Sequence, residues 1–260
     1  NIRGIFKMIY KPYNLQDVYD ASEQNKFKVI STFAGGGGSS TGYRLAGGKV
    51  LAVNEFVEEA CNTYKENYPE TPILPGDIKE LTGQHFLDAA GVKVGEIDVL
   101  DGSPPCSAFS VAGKLSHNSI ETEYLDFDGN VMTRKESGKH SDGWGQTKKY
   151  SDGKIVENIE DLFFDFLRIA DDIRPKVIIA ENVKGLSVGE AKNYLNQILN
   201  KFEEIGYNVS YQVLDSRYFG VSQTRTRCIF VGVRQDIADQ VGLNFMTIQT
   251  VFPQPSLTTI

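Results

Sequence analysis

Phe27-Lys28-Val29-Ile30-Ser31-Thr32-Phe33-Ala34-Gly35-Gly36-Gly37-Gly38-Ser39-Ser40 decides the reading of this 260-residue chain. Residues 27–34 (FKVISTFA) are an apolar run of strand length, the glycines read as a turn, and a short helix through Tyr43 and Leu45 follows. Glycines at such a step let a ligand approach the backbone, and the start of the helix offers free N–H groups. The same rhythm recurs downstream. Residues 49–56 (KVLAVNEF) read as a second strand, with Val57, Ala60, Cys61 and Tyr64 marking one face of the next helix, and residues 97–100 are strand-like. Leu162, Phe163, Phe166, Leu167, Ala170 and Ile173 recur at helical spacing, and Pro175 closes that helix. Residues 176–183 (KVIIAENV) form an apolar strand of the kind buried on both faces of a parallel sheet. Tyr194, Leu195, Ile198, Leu199, Phe202 and Ile205 make another helical stripe, ended by Gly206, and residues 208–214 and 228–233 read as two last strands. This alternation predicts an α/β fold, doubly wound and mostly parallel, with an antiparallel hairpin at its C-terminal end.

The length suffices for one large α/β domain or two small ones. A net charge of −7 argues against a generally basic nucleic-acid-binding coat and is silent on a local basic face. Three cysteines without pair spacing predict free thiols in a reducing compartment, and Cys61 and Cys228, on apolar faces, read as core residues. His85, His117 and His140 have no metal-ligand spacing, and no apolar run approaches the length of a membrane span. Neither a metal nor a membrane partner is expected.

One stretch breaks the rhythm. Residues 114–154 are polar, with turn signals at Asp128-Gly129, Asp142-Gly143 and Asp152-Gly153, and read as a loop insertion. Their place after Cys106 favours a mobile lid, although a solvated insertion without a chemical role fits as well. Lys114, Arg134, Lys135, Lys139, Lys148 and Lys149 equip the stretch for phosphate contact, and Trp144 reads as an incidental aromatic.

Pro104-Pro105-Cys106 follows the strand-like residues 97–102 directly. Two prolines fix the backbone and remove two donors, so the thiol sits on a rigid turn at the C-terminal end of a strand, where α/β folds place their chemistry. Glu55, about twenty residues past the glycine turn, ends the second strand, where a carboxylate suits ribose hydroxyls. Asp77, in Gly76-Asp77-Ile78, suits an adenine amino group at the end of a third strand. The glycine turn alone fits nicotinamide, flavin or S-adenosylmethionine cofactors; the acids add a nucleoside pocket.

In this order, Phe33-Ala34-Gly35-Gly36-Gly37, Glu55, Asp77, Pro104-Pro105-Cys106, Glu181-Asn182-Val183 and Gln223-Thr224-Arg225-Thr226-Arg227 resemble the cytosine-5 DNA methyltransferase family over residues 27–260. The resemblance implies a Rossmann-like methyltransferase sheet, S-adenosylmethionine as methyl donor with S-adenosylhomocysteine as product, and a cytosine of double-stranded DNA as acceptor. It implies catalytic roles for Cys106 as the nucleophile toward cytosine C6, Glu181 at N3, and Arg227 with Arg225 beside them. Cofactor contacts are implied for Phe33, Ala34, Gly35, Gly37, Ser39, Ser40, Glu55, Phe56, Asp77, Ile78, Asp101 and Pro104. The target base is expected to be flipped out of the duplex.

The chain departs from the family pattern at Ser107, where glutamine is frequent, and at Ser222, where proline is usual. Phe252-Pro253-Gln254-Pro255 resembles the segment that leads into the target-recognition region. That region is expected to be absent, which makes an incomplete or split catalytic subunit, paired with a missing lobe or partner chain, the alternative reading. Residues 1–26 are expected to be an N-terminal extension, and the enzyme cytoplasmic and nucleoid-associated if its source is prokaryotic or phage. An RNA-directed relative lacks support, since no Cys-Phe-Thr signature is present, and a nicotinamide oxidoreductase has no use for Pro-Pro-Cys.

Overall fold

The computed structural model describes residues 12–105, 120–125, 131–136, 147–148, 157–158, 161–187, 191–243 and 252–253. Helix α1 (Leu15–Ser22) starts at a capping box in which Asn14 Oδ1 accepts from the Asp17 N–H while the Asp17 carboxylate accepts from the Asn14 N–H. Strand β1 (Phe27–Thr32) leads through the glycine turn into α2 (Gly38–Leu45), and β2 (Gly48–Glu55) into α3 (Glu58–Asn67). After β3 (Ile73–Pro75) come a 3-10 turn (Ile78–Glu80), α4 (Gly83–Ala90) and β4 (Val99–Gly102). The polar stretch holds two antiparallel pairs, β5 (Ile120–Leu125) with β6 (Val131–Glu136) and β7 (Thr147–Lys148) with β8 (Glu157–Asn158). The latter half of the chain contributes α5 (Asp161–Ile173), β9 (Val177–Val183), α6 (Ala191–Glu204), β10 (Tyr207–Asp215), β11 (Thr226–Arg234) and α7 (Gln235–Val241).

The main sheet has seven strands in the order β10-β11-β9-β4-β1-β2-β3. Strands β3, β2, β1, β4 and β9 run parallel, and β11 is antiparallel to both β9 and β10, as the sequence predicts. The chain winds outward from β1 to β3, then restarts at β4 and winds the other way. A crevice therefore opens at the C-terminal ends of β1 and β4, the switch point where such sheets bind ligands.

Successive residues of β1 serve opposite faces, which is why it reads as an unbroken apolar run. Ile30 joins the cluster of Phe86, Phe163, Phe166, Phe202 and Phe230, whereas Val29 joins Val18, Val50, Val53, Tyr64 and Tyr68. Phe230 meets Phe163 edge-on at 5.4 Å between ring centroids and lies nearly parallel to Phe202 at 6.3 Å. Val18 carries α1 into the second cluster, so residues 15–22 pack on the sheet although they fall inside the expected N-terminal extension. The polar stretch also differs from the loop expected there. Its Asp128-Gly129 signal falls between the paired strands β5 and β6, in residues outside those described, as do the Asp142-Gly143 and Asp152-Gly153 signals and Trp144.

Candidate active site

The glycine turn holds backbone conformations that side chains resist. Phe33, Gly35 and Gly37 have φ of +53°, +55° and +97°. Gly37 caps α2 without any side-chain acceptor for the first-turn N–H groups, so the helix start faces the crevice with those donors unserved by a cap. A Cβ at Gly37 would lie 2.9 Å from the Tyr68 ring and 3.2 Å from that of Tyr64. Gly37→Ala therefore combines left-handed strain with overpacking, and is expected to cost about 2–4 kcal/mol in urea unfolding. Beneath the helix, the buried Ser40 hydroxyl accepts from Tyr64 Oη at 3.0 Å, and Thr41 hydrogen-bonds Tyr68.

Glu55 ends β2 beside this turn. Its Oε2 accepts from the Gly35 N–H at 2.7 Å, and its Oε1 from the N–H groups of Phe56 and Val57, both at 2.8 Å. The carboxylate thus fixes the turn and retains lone-pair capacity for a ligand hydroxyl. Phe56, the next residue, is exposed, an apolar face beside that acid. Asp77 caps the 3-10 turn, accepting from the Lys79 N–H at 2.9 Å. Ile78 is buried in the main core, so its side chain, like that of Ser40, points into the protein.

Three residues that sequence reasoning passed over hold this end together. Asn54 is 2% exposed, and its Nδ2 donates to the Leu74 and Gly76 carbonyls, both at 2.9 Å. Arg168, from α5, donates to the Leu81 and Ile78 carbonyls at 2.9 and 3.0 Å, and the Asp172 carboxylate accepts from the Gly83 N–H. A polar residue inside an apolar strand must find hydrogen-bond partners, so Asn54 in KVLAVNEF carries a usable signal. Arg168 and Asp172 carry none, because charged positions on a helix look alike in sequence.

Asp101 lies at the centre of the switch point, 8% exposed. Its Oδ2 accepts from Ser31 Oγ and Ser39 Oγ, both at 2.8 Å, and its Oδ1 from Tyr43 Oη at 3.0 Å. Burial raises the Asp101 carboxyl above the usual carboxylate range against the opposing pull of these hydroxyls, and burial likewise raises the Tyr43 phenol. Gly102, which follows, has no room for a side chain, since a Cβ would lie 2.5 Å from Phe166 and 2.6 Å from Thr32 Oγ1. Pro104 is buried, and its carbonyl accepts from Asn182 Nδ2 at 3.3 Å. Cys106, the next residue but one, lies outside the described residues.

That bond joins the Pro-Pro segment to the end of β9. Glu181, the neighbour of Asn182, receives Arg227 Nε at 2.8 Å and Arg225 Nη2 at 3.1 Å, both on Oε1. The β9–β11 register sets Glu181 opposite Ile229, so Arg227 is its diagonal neighbour on the same face. The three polar side chains expected to act together are therefore together, and the hydrogen bond through Asn182 places them beside the segment that leads to Cys106. Oε2 of Glu181 meets no hydrogen-bond partner among the described residues.

The profile of the C-5 cytosine-specific DNA methylase family matches residues 27–137 and 146–260. The chain belongs to this family. The unmatched interval falls within the polar stretch. Among curated relatives, the Type II methyltransferase M.NgoPII of Neisseria gonorrhoeae is 29% identical over 90% of this chain, and M.Eco47II of Escherichia coli 33% over 84%. M.AquIA of Picosynechococcus is 32% identical over 88%. The chain spans 55%, 42% and 76% of those three relatives. The fold matches that of a DNA modification methyltransferase encoded within an E. coli prophage, with a TM-score of 0.58 and 22% identity over 82% of this chain and 48% of that one. A Spodoptera frugiperda DNMT2 variant gives 0.52 and 22% over 81% and 51%.

The other thiols differ from their expectation in one case. Cys228 is fully buried, and burial pushes its thiol up to about 12. Cys61, expected in the core, is only partly buried, and its Sγ donates to the Glu55 carbonyl at 3.5 Å. Burial, followed by the charge of Glu55, raises this thiol too. At pH 8 a thiol near 12 is thiolate in about one molecule in ten thousand. Alkylation of the folded protein by iodoacetamide is expected to leave Cys228 unmodified until denaturant is added, with peptide mass spectrometry as the readout. No group of three metal-ligating side chains occurs among the described residues, and none of their helices is long and apolar enough to cross a membrane.

Proposed function

We propose that the chain transfers a methyl group from S-adenosylmethionine to C5 of a cytosine in double-stranded DNA, through a covalent bond between Cys106 and cytosine C6. The observation that carries this reading is the join between Glu181, with its two arginines, and the Pro-Pro segment through Asn182 and the Pro104 carbonyl.

The switch-point residues fit the cofactor. The uncapped helix start would suit its carboxylate, Glu55 at the end of β2 would suit its ribose hydroxyls, and Phe56 and Asp77 would serve its adenine. When bound, S-adenosylmethionine supplies a methyl group from its sulfonium.

Cytosine C5 is a poor nucleophile, so the ring must first be activated. The Cys106 thiolate adds to C6, and the C5=C6 electron pair shifts into the ring, raising electron density at N3. Glu181 relieves that charge by a proton or hydrogen bond at N3, with Arg227 orienting its carboxylate and holding the cytosine carbonyl. C5 then takes the methyl group, a base removes the C5 proton, and the returning electron pair expels Cys106 as thiolate. Because C6 is enclosed within a stacked duplex, the cytosine must swing out for attack.

The test is incubation with a duplex containing 5-fluorocytosine in the presence of S-adenosylmethionine. Fluorine at C5 cannot leave as a proton, so the adduct persists. A covalent complex whose modified peptide contains Cys106 is expected, and attachment at any other residue overturns the mechanism.

A further inference from the structure

We propose that Asp101 is a positioning residue that clamps the glycine turn across its two ends and ties it to the strand leading into Pro104-Pro105-Cys106. The proposal rests on the functional reading above, since it concerns how that site is held.

The geometry is specific. Ser31 lies two residues before Phe33, ahead of the turn, and Ser39 lies in the first turn of α2, after it. Both hydroxyls donate to the same oxygen of Asp101. Tyr43, four residues past Ser39 and so on the same helix face, donates to the other oxygen. The β1–β4 register sets Asp101 directly opposite Ser31, and the Thr32 hydroxyl donates to the Asp101 carbonyl at 3.2 Å. Five residues on from Asp101, the chain reaches Cys106. One side chain thus fixes the cofactor turn relative to the strand that delivers the nucleophile.

Chemistry explains the choice of an acid. A run of four glycines has more conformational freedom to lose than any other sequence, so its folded shape needs holding from outside. Three hydroxyl donors converge from two elements, and an ionised carboxylate, which only accepts, can receive all three. A leucine receives none, and an asparagine has one accepting oxygen and must donate through its nitrogen. No basic side chain pairs with Asp101 among the described residues, so these hydroxyls are what offsets its burial. A second effect adds to the first, because negative charge beside the first turn of α2 is favoured by the helix dipole.

The experiment is calorimetric titration of S-adenosylhomocysteine into the full chain and into Ser39→Ala, Asp101→Asn, the double variant and Asp101→Leu. Ser39→Ala and Asp101→Asn are each expected to weaken binding by about tenfold, and Asp101→Leu by about thirtyfold or more. The double variant is expected to bind within about threefold of the weaker single variant, because both substitutions break one shared contact. Ser39 is exposed, so Ser39→Ala keeps the test open where Asp101→Leu fails to fold. Losses that multiply in the double variant, or Ser39→Ala binding within twofold of the parent, overturn the clamp alone. A parent chain that binds no S-adenosylhomocysteine takes down the functional reading and the clamp with it.

Discussion

Cys106→Ala is expected to form no covalent complex with 5-fluorocytosine DNA, a loss of about 10³-fold or more against the parent chain. No other thiol is placed to substitute. Cys228 is buried within β11 and held protonated, and Cys61 sits in α3 beyond the end of β2, donating to the Glu55 carbonyl. Serine in place of Cys106 is expected to behave like alanine, because a hydroxyl near neutral pH carries almost none of its nucleophilic anion. S-adenosylhomocysteine affinity is expected to remain within about threefold in both variants, as the described hydrogen bonds of the turn, Glu55 and Asp101 run between other residues. Denaturing gel shift reads the adduct and calorimetry reads the affinity. A complex that survives Cys106→Ala removes the nucleophile assignment while leaving family membership untouched.

Strong periodicity made the sheet and its two long helices readable from sequence. The Leu162 to Ile173 stripe became α5 and the Tyr194 to Ile205 stripe became α6, because apolar residues at helical spacing have one physical outlet, a buried face. Helices α1 and α4 escaped notice for the converse reason. LQDVYDAS buries Val18 as its one large apolar residue, and GQHFLDAA is barely two turns long, so neither presents a sustained stripe. The alternation in IETEYL, which forms β5, was hidden inside a stretch whose composition reads as loop. Site residues followed a similar division. Among the candidate site residues, Glu55 is legible from its place at the end of β2, where the fold class predicts chemistry, whereas Glu181 and Arg227 are candidates through the family resemblance. The partners of Asp101 could not be inferred that way, since Ser31, Ser39 and Tyr43 converge only once β1, β4 and α2 are assembled. Cys61 shows the limit of face-counting, because a helix lying over the end of a strand exposes part of a face that looks uniformly apolar in sequence.

Glu181→Gln is expected to slow adduct formation by about 10²–10⁴-fold, the range lost with a general acid or base. Glutamine keeps the shape and one accepting oxygen, so Arg227 Nε retains a partner and the strand register is undisturbed. In the proposed mechanism, what glutamine lacks is a proton that it can transfer to the developing anion at N3. Arg227→Ala should cost less than Glu181→Gln, and Arg225→Ala less again. Arg227 is 28% exposed and close to Glu181, whereas Arg225 is 51% exposed, so solvent screens its pairing more strongly. Partly exposed ion pairs contribute about 0–1 kcal/mol to folding, so all three variants are expected to melt close to the parent. That separation makes the ordering informative, because a purely structural cluster would lower stability and rate together. Adduct formation by Glu181→Gln within tenfold of the parent would remove Glu181 from the N3 role and leave its arginines without a catalytic purpose.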